Sequence, residues 1–166
     1  MAAYHLAQLN IGRALAPVDS PVMADFMSAL DPINALAEAA PGFVWRFQTD
    51  EGNATALRPY DDDRVMVNFS VWESPESLHE FVYKTLHAKF MARRREWFER
   101  MTDPFTVLWW VPAGHRPTVR EAIDRLEKLR ANGETAEAFT FKRLFPAPGE
   151  AESAQAGGLW PDACPA

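Results

Sequence analysis

From Arg64 to Trp72 the chain reads Arg-Val-Met-Val-Asn-Phe-Ser-Val-Trp, and this stretch limits the possible folds more than any other. Successive side chains of a strand point to opposite faces. Val65, Val67, Phe69 and Val71 therefore take one face, and Met66, Asn68, Ser70 and Trp72 the other. The first face is wholly apolar and the second carries Met and Trp at its ends. A second run, Phe105 to Val111, is apolar almost throughout and contains the adjacent Trp109 and Trp110. A sheet built on such strands needs cover on both sides, because a bare face would be a large exposed apolar patch.

The remaining elements follow from periodicity and punctuation. Tyr4 to Ile11 reads as the first strand. Asp19-Ser20-Pro21 sets a capping residue before Pro. Met23, Phe26, Met27, Leu30, Ile33, Leu36 and Ala37 then recur at helical spacing. Pro32 lies inside that pattern and is expected to kink or interrupt it; Pro41-Gly42 ends it. Phe43 to Gln48 reads as a strand with Phe43, Trp45 and Phe47 on one face. Residues 49–63 form a polar loop ending in Asp61-Asp62-Asp63, an acidic run read as solvated. Ser74-Pro75-Glu76 opens a helix expected to run to about Met101. Pro117 to Ala131 is a third helix stopped by Asn132-Gly133, and Phe139 to Phe145 reads as a last strand.

This order is β-α-β-β-α-β with an extra α-β, the ferredoxin-like split βαβ pattern. The expected class is α+β, an antiparallel sheet with helices on one face. Residues 1–145 form the domain; residues 146–166, rich in Pro, Ala, Gly and Glu, are expected to be a disordered tail. With few helices available, the second sheet face is expected to meet the same face of another copy, giving a homodimer.

The formal net charge of −6 argues against nucleic acid as a partner. No apolar run reaches the length of a membrane span, and no signal sequence is read at the N-terminus. A cytoplasmic location is expected. The single cysteine, Cys164, permits no intrachain disulfide and no cysteine metal cluster. P-loop, dinucleotide, zincin and serine-hydrolase motifs are absent.

Chemistry concentrates in residues 74–101. At helical steps of about 100° per residue, Tyr83, His87 and Arg94 fall on the side that carries Val82, Leu86, Phe90, Trp97 and Met101. Interior polar groups need partners or a wet pocket. His87 is the candidate proton carrier, Tyr83 its assistant, and Arg94 a clamp for an oxygen anion. Arg93 and Arg95 read as solvated or intersubunit charges. Asn10, on the first strand with Gln8, and Asn68 are candidate ligand-orienting amides. Trp45, Trp72, Phe90, Trp97 and Trp110 are candidate apolar walls. No metal site is expected.

The segments Leu6–Arg13, Pro41–Arg46, Val71–Ser74, Arg93–Phe98 and Leu108–His115 resemble a bacterial family of unknown function. That family is placed in the dimeric α+β barrel superfamily, beside the antibiotic-biosynthesis monooxygenases. The resemblance spans about Tyr4 to Phe145. It implies two sheets packed face to face in a dimer, with one pocket per subunit between sheet and helices. It also implies cofactor-independent acid–base chemistry on an apolar, partly anionic small molecule: oxygenation, or dehydration, cyclisation or isomerisation in secondary metabolism. A non-catalytic ligand-binding module is a competing expectation. A haem-degrading branch uses an Asn on the first strand, a Trp near the end of the third and a His on the next helix. Asn10, Trp72 and His87 hold similar places, so haem is an alternative where otherwise no cofactor is expected.

Overall fold

The computed structural model describes residues 3–48, 62 and 64–150. Four strands form one antiparallel sheet: β1 (Tyr4–Arg13), β2 (Phe43–Arg46), β3 (Val65–Trp72) and β4 (Thr106–Pro112), in the order β2-β3-β1-β4. Joined by α1 (Ala24–Ala39) and by α2 (Pro75–Lys84) with α3 (Leu86–Ala92), they make the ferredoxin-like arrangement expected from the sequence.

On one face, Leu6 and Trp72 pack with Leu78 and Phe81 of α2 and with Ala37, Ile33 and Leu36 of α1. Pro32 does not interrupt α1. A Pro inside a helix costs about 3 kcal/mol. Each apolar side chain that α1 buries returns up to about 1.5–3 kcal/mol, and Pro32 itself is exposed. Packing therefore outweighs the local penalty. Gly42 ends the α1–β2 connection with φ of 84°, and a side chain there would stand 2.1 Å from the Ser77 hydroxyl oxygen. Only glycine lets the start of β2 lie against α2.

The opposite face is closed within the single chain. Ala122, Leu126 and Leu129 of α4 (Val119–Asn132) pack with Ala7, Leu9, Val107 and Trp109, while Trp45 and Phe47 pack over the β3 side. Val67, Phe69 and Val71 are only 6%, 2% and 1% exposed. The bare face that motivated a dimer is thus not found, and this face carries no argument for one. Thr118 caps α4 by accepting from the Glu121 N–H, and Gly133 stops it at φ of 72°, the stop that the sequence predicts.

Three local readings change. The helix expected from Ser74 to Met101 breaks at Thr85, and after Ala92 the chain passes through a short 3-10 turn, Arg94–Glu96. Thr85 is the cause. Its hydroxyl donates to the Phe81 carbonyl at 2.6 Å and accepts from the His87 N–H at 3.2 Å, so it ends one helix and caps the next. In β2 a bulge separates Phe43, opposite Trp72, from Trp45, opposite Val71. Neighbouring residues of β3 face opposite ways, so Phe43 and Trp45 do too. Residues 139–145 are not a strand: one bridge, Phe139 to Leu108, holds them at the edge of β4 before the chain turns between Thr140 and Arg143. Phe139 and Phe141 are both buried there, in the cluster that holds Leu6 and Trp72.

Cys164 and the tail beyond residue 150 lie outside the described residues, as do Asp61 and Asp63. Asp62 is described and pairs with Arg13 at 2.7 Å. No described helix is long and apolar enough to cross a membrane.

Candidate functional site

A cleft of about 210 Å³ opens between the sheet and the helices α1, α2 and α3. Strand register determines its floor. Asn10 stands opposite Asn68 on one side and Thr106 on the other; Gln8 stands opposite Ser70 and Leu108. Five neutral hydrogen-bonding side chains therefore occupy two adjacent rows of the floor. The roof is apolar, with Phe26, Leu30 and Ile33 from α1 and Phe81, Phe90 and Met91 from the helices after β3. No Asp or Glu lines the cleft among the described residues, whereas Arg46, His87 and Arg94 do. In a chain of net charge −6 this is a local reversal of sign.

The floor is wired. Trp72 Nε1–H donates to Ser70 Oγ at 2.9 Å. Gln8 Nε2 donates to the same oxygen and to Asn68 Oδ1, each at 2.8 Å. Gln8 and Ser70 are buried, while Asn68 is exposed to the cleft mouth. Beyond Asn10 the strand narrows to Gly12, where a side chain would press to 2.8 Å from the Phe98 ring and 3.2 Å from the Arg94 guanidinium. Arg94 donates to the Ile11 carbonyl at 3.1 Å, and its guanidinium lies 4.6 Å from the Phe105 ring centre and 5.1 Å from that of Phe98. Arg46 is held by Glu38 at 2.7 Å.

His87 sits in the cleft wall under the α2–α3 break. Burial pushes its imidazole below the ordinary histidine range, and a backbone hydrogen bond with Val82 opposes the shift only in part. Burial thus favours the uncharged form of the ring. Its Nδ1 is buried and has no hydrogen-bond partner among the described residues, and Thr106 Oγ1 is in the same condition. Buried polar atoms are rarely left so.

Of the residues expected at a site, His87, Arg94, Asn10, Asn68, Trp72, Phe90 and Trp97 come together around this cleft. Phe90 and Trp97 stack at 5.6 Å. Three do not join them. Tyr83 precedes the break at Thr85, so helical spacing no longer ties it to His87; its ring lies against His79 at 4.4 Å. Trp45 is turned by the bulge to the other sheet face, 5.7 Å from Phe69. Trp110 donates to the Phe145 carbonyl at 2.9 Å and is covered by the segment after α4. Arg93 pairs with Glu96 and Asp25 and lies over Trp97. Sequence reasoning missed Arg46 and Thr106, and it saw Ser70 and Gln8 on the candidate faces without placing them at the site. Ser70 and Gln8 share faces with Asn68 and Asn10, a signal available in the alternation; Arg46 was hidden by the bulge. Among the described residues no cluster of His, Cys, Asp or Glu has the makings of a metal site.

A model of a family described as a domain of unknown function, DUF3291, matches residues 5–155. The chain belongs to this family. No curated protein is significantly similar to this DUF3291 chain in sequence. Among solved structures it resembles NE2512, a protein of unknown function from Nitrosomonas europaea, with a TM-score of 0.43 and 16% identity over 71% of this chain and 97% of that one. It also resembles PA3566 from Pseudomonas aeruginosa, with a TM-score of 0.43 and 12% identity over 70% of this chain and 99% of that one. Likeness at this level carries no inference about activity.

Proposed function

We propose that the cleft binds an apolar, partly anionic small molecule and that His87 acts on it as a base. The observation that carries this is one cleft with an apolar roof, a neutral hydrogen-bonding floor, cationic residues in place of carboxylates, and in its wall a half-buried histidine whose Nδ1 is enclosed and whose burial favours the uncharged ring. An uncharged imidazole accepts a proton at neutral pH. Removal of a proton from a phenol, enol or carbon acid leaves the electron pair on the ligand oxygen and an imidazolium at His87. Arg94 and Asn10 would stabilise that oxygen anion. Return of the proton to another ligand atom completes an isomerisation. Its delivery to a departing hydroxide completes a dehydration. The superfamily in which the resemblance places the chain, beside the antibiotic-biosynthesis monooxygenases, supports the same first step, followed by attack on dioxygen as co-substrate. That resemblance also carries the expectation of a homodimer.

The test is native mass spectrometry of freshly purified protein, with identification of whatever is released on unfolding. An apolar organic acid or phenol is the expected result, in a particle whose mass gives the assembly directly. Turnover of that compound by wild type and His87→Gln then decides the role of His87; equal rates would remove it from the mechanism.

A second reading is favoured by one observation: Asn10, Trp72 and His87, the places the resemblance ties to haem chemistry, all line this cleft. His87 would hold the haem iron through an imidazole nitrogen. A Soret band on haem addition that is lost in His87→Ala supports it, and no band at micromolar haem ends it.

A further inference from the structure

The hydrogen-bonded chain across the cleft floor has a direction. An indole N–H only donates, so Ser70 Oγ must accept from Trp72. The Gln8 amide nitrogen uses one hydrogen on Ser70 and the other on Asn68 Oδ1. The Asn68 side chain takes part in no further hydrogen bond among the described residues, and it stands exposed on the cleft floor. With Oδ1 committed to Gln8, the Asn68 Nδ2–H₂ is left as the polar group offered to a ligand. The chain runs from a buried anchor, Trp72 at 1% exposure, through Gln8 at 8%, to this exposed end. Such an arrangement fixes in advance which end of an otherwise symmetric amide faces the ligand.

We infer that Trp72, Ser70 and Gln8 are positioning residues that present the Asn68 amide N–H donors to the cleft, so that it selects apolar molecules bearing a carboxylate, phenolate or enolate oxygen. This rests on the cleft being a binding site for an apolar, partly anionic small molecule, and adds the group that reads the anion and the three that aim it. A misdirected donor or unpaired polar group at this point discriminates strongly between ligands that accept and ligands that donate.

Isothermal titration with 1-naphthoate and with 1-naphthylmethanol tests it. Wild type is expected to bind the carboxylate at least about tenfold more tightly than the alcohol. Asn68→Asp replaces donors by acceptors at an exposed position and should abolish or reverse that preference. Gln8→Glu has only acceptors to offer Asn68, which must turn its Nδ2–H toward Glu and its Oδ1 toward the cleft; naphthoate affinity should fall about tenfold while the alcohol is retained. Ser70→Ala should weaken the preference and Ser70→Thr, which keeps the hydroxyl, should restore it. Circular dichroism checks that each variant is folded; should the buried glutamate prevent folding, Asn68→Asp and the Ser70 pair still decide the matter. If wild type binds neither probe, the cleft reading falls and takes the inference with it. If wild type binds naphthoate and the preference survives in Asn68→Asp, the inference alone is overturned.

Discussion

The Thr85 hydroxyl donates to the Phe81 carbonyl at 2.6 Å, four residues earlier. That bond, with the His87 N–H returned to the same oxygen, places a corner under the cleft histidine where the sequence suggests an unbroken helix. Thr85→Ala removes the cap and should cost about 1 kcal/mol, or a fall in Tm of about 2–4 °C for a chain of this size. Thr85→Ser should recover most of it. Thermal melts in which Ala and Thr are indistinguishable would mean that the corner is held by packing alone.

Stability should depend on pH through His87. Its folded-state value lies below the ordinary 6.5 because burial disfavours the charged ring. Between those two values the unfolded chain binds the extra proton, so stability rises with pH in that window. The contribution is complete above about 6.5 and is lost as pH falls toward the folded value. His79 is shifted in the same direction, by burial first and by Lys84 second. Urea titrations should show a shallower acid-side slope in His87→Gln than in wild type, with His79 supplying part of what remains. An unchanged slope would place His87 in contact with water.

Gly12 is fixed by contact rather than by backbone angle. Its missing side chain would meet Phe98 at 2.8 Å, with Arg94 close behind. Gly12→Ala should therefore destabilise by about 1–3 kcal/mol through overpacking, although alanine ordinarily suits a strand better than glycine. Equilibrium unfolding measures this. A stabilised Gly12→Ala protein would show that the ring and guanidinium move freely.

Trp72 and Ser70 should be energetically coupled. Trp72→Phe keeps most of the buried ring but loses the donor to Ser70 Oγ; Ser70→Ala loses the acceptor. In a double-mutant cycle the two losses should be non-additive by about 1 kcal/mol. Strict additivity would remove the indole from the chain of bonds on the cleft floor.

Much of this was legible in the sequence because local and tertiary signals agreed. Strict alternation in β3 set both faces of the sheet, and Asn10 and Asn68 fell on the cleft side as alternation requires. The Ser74 cap before Pro75 marked the start of α2, and Asn132-Gly133 marked the end of α4. The failures share one physical origin: a small perturbation of period. One threonine hydroxyl resets the helical phase at residue 85, so counting steps of about 100° from Tyr83 to His87 and Arg94 loses meaning. One extra residue in β2 resets the strand phase, which sends Trp45 away and brings Arg46 in. The dimer argument failed differently. It counted helices without seeing that α4 crosses to the second face, where Leu126 is fully buried.

The bulge makes Val44 a spare link. Phe43 already meets Trp72, and Trp45 and Arg46 already meet Val71 and Ser70, so removing Val44 would straighten the strand without turning either neighbour over. Anywhere within β3 the same one-residue loss would turn the rest of the strand inside out. The cleft wall can thus shed one codon at this point and keep its arginine.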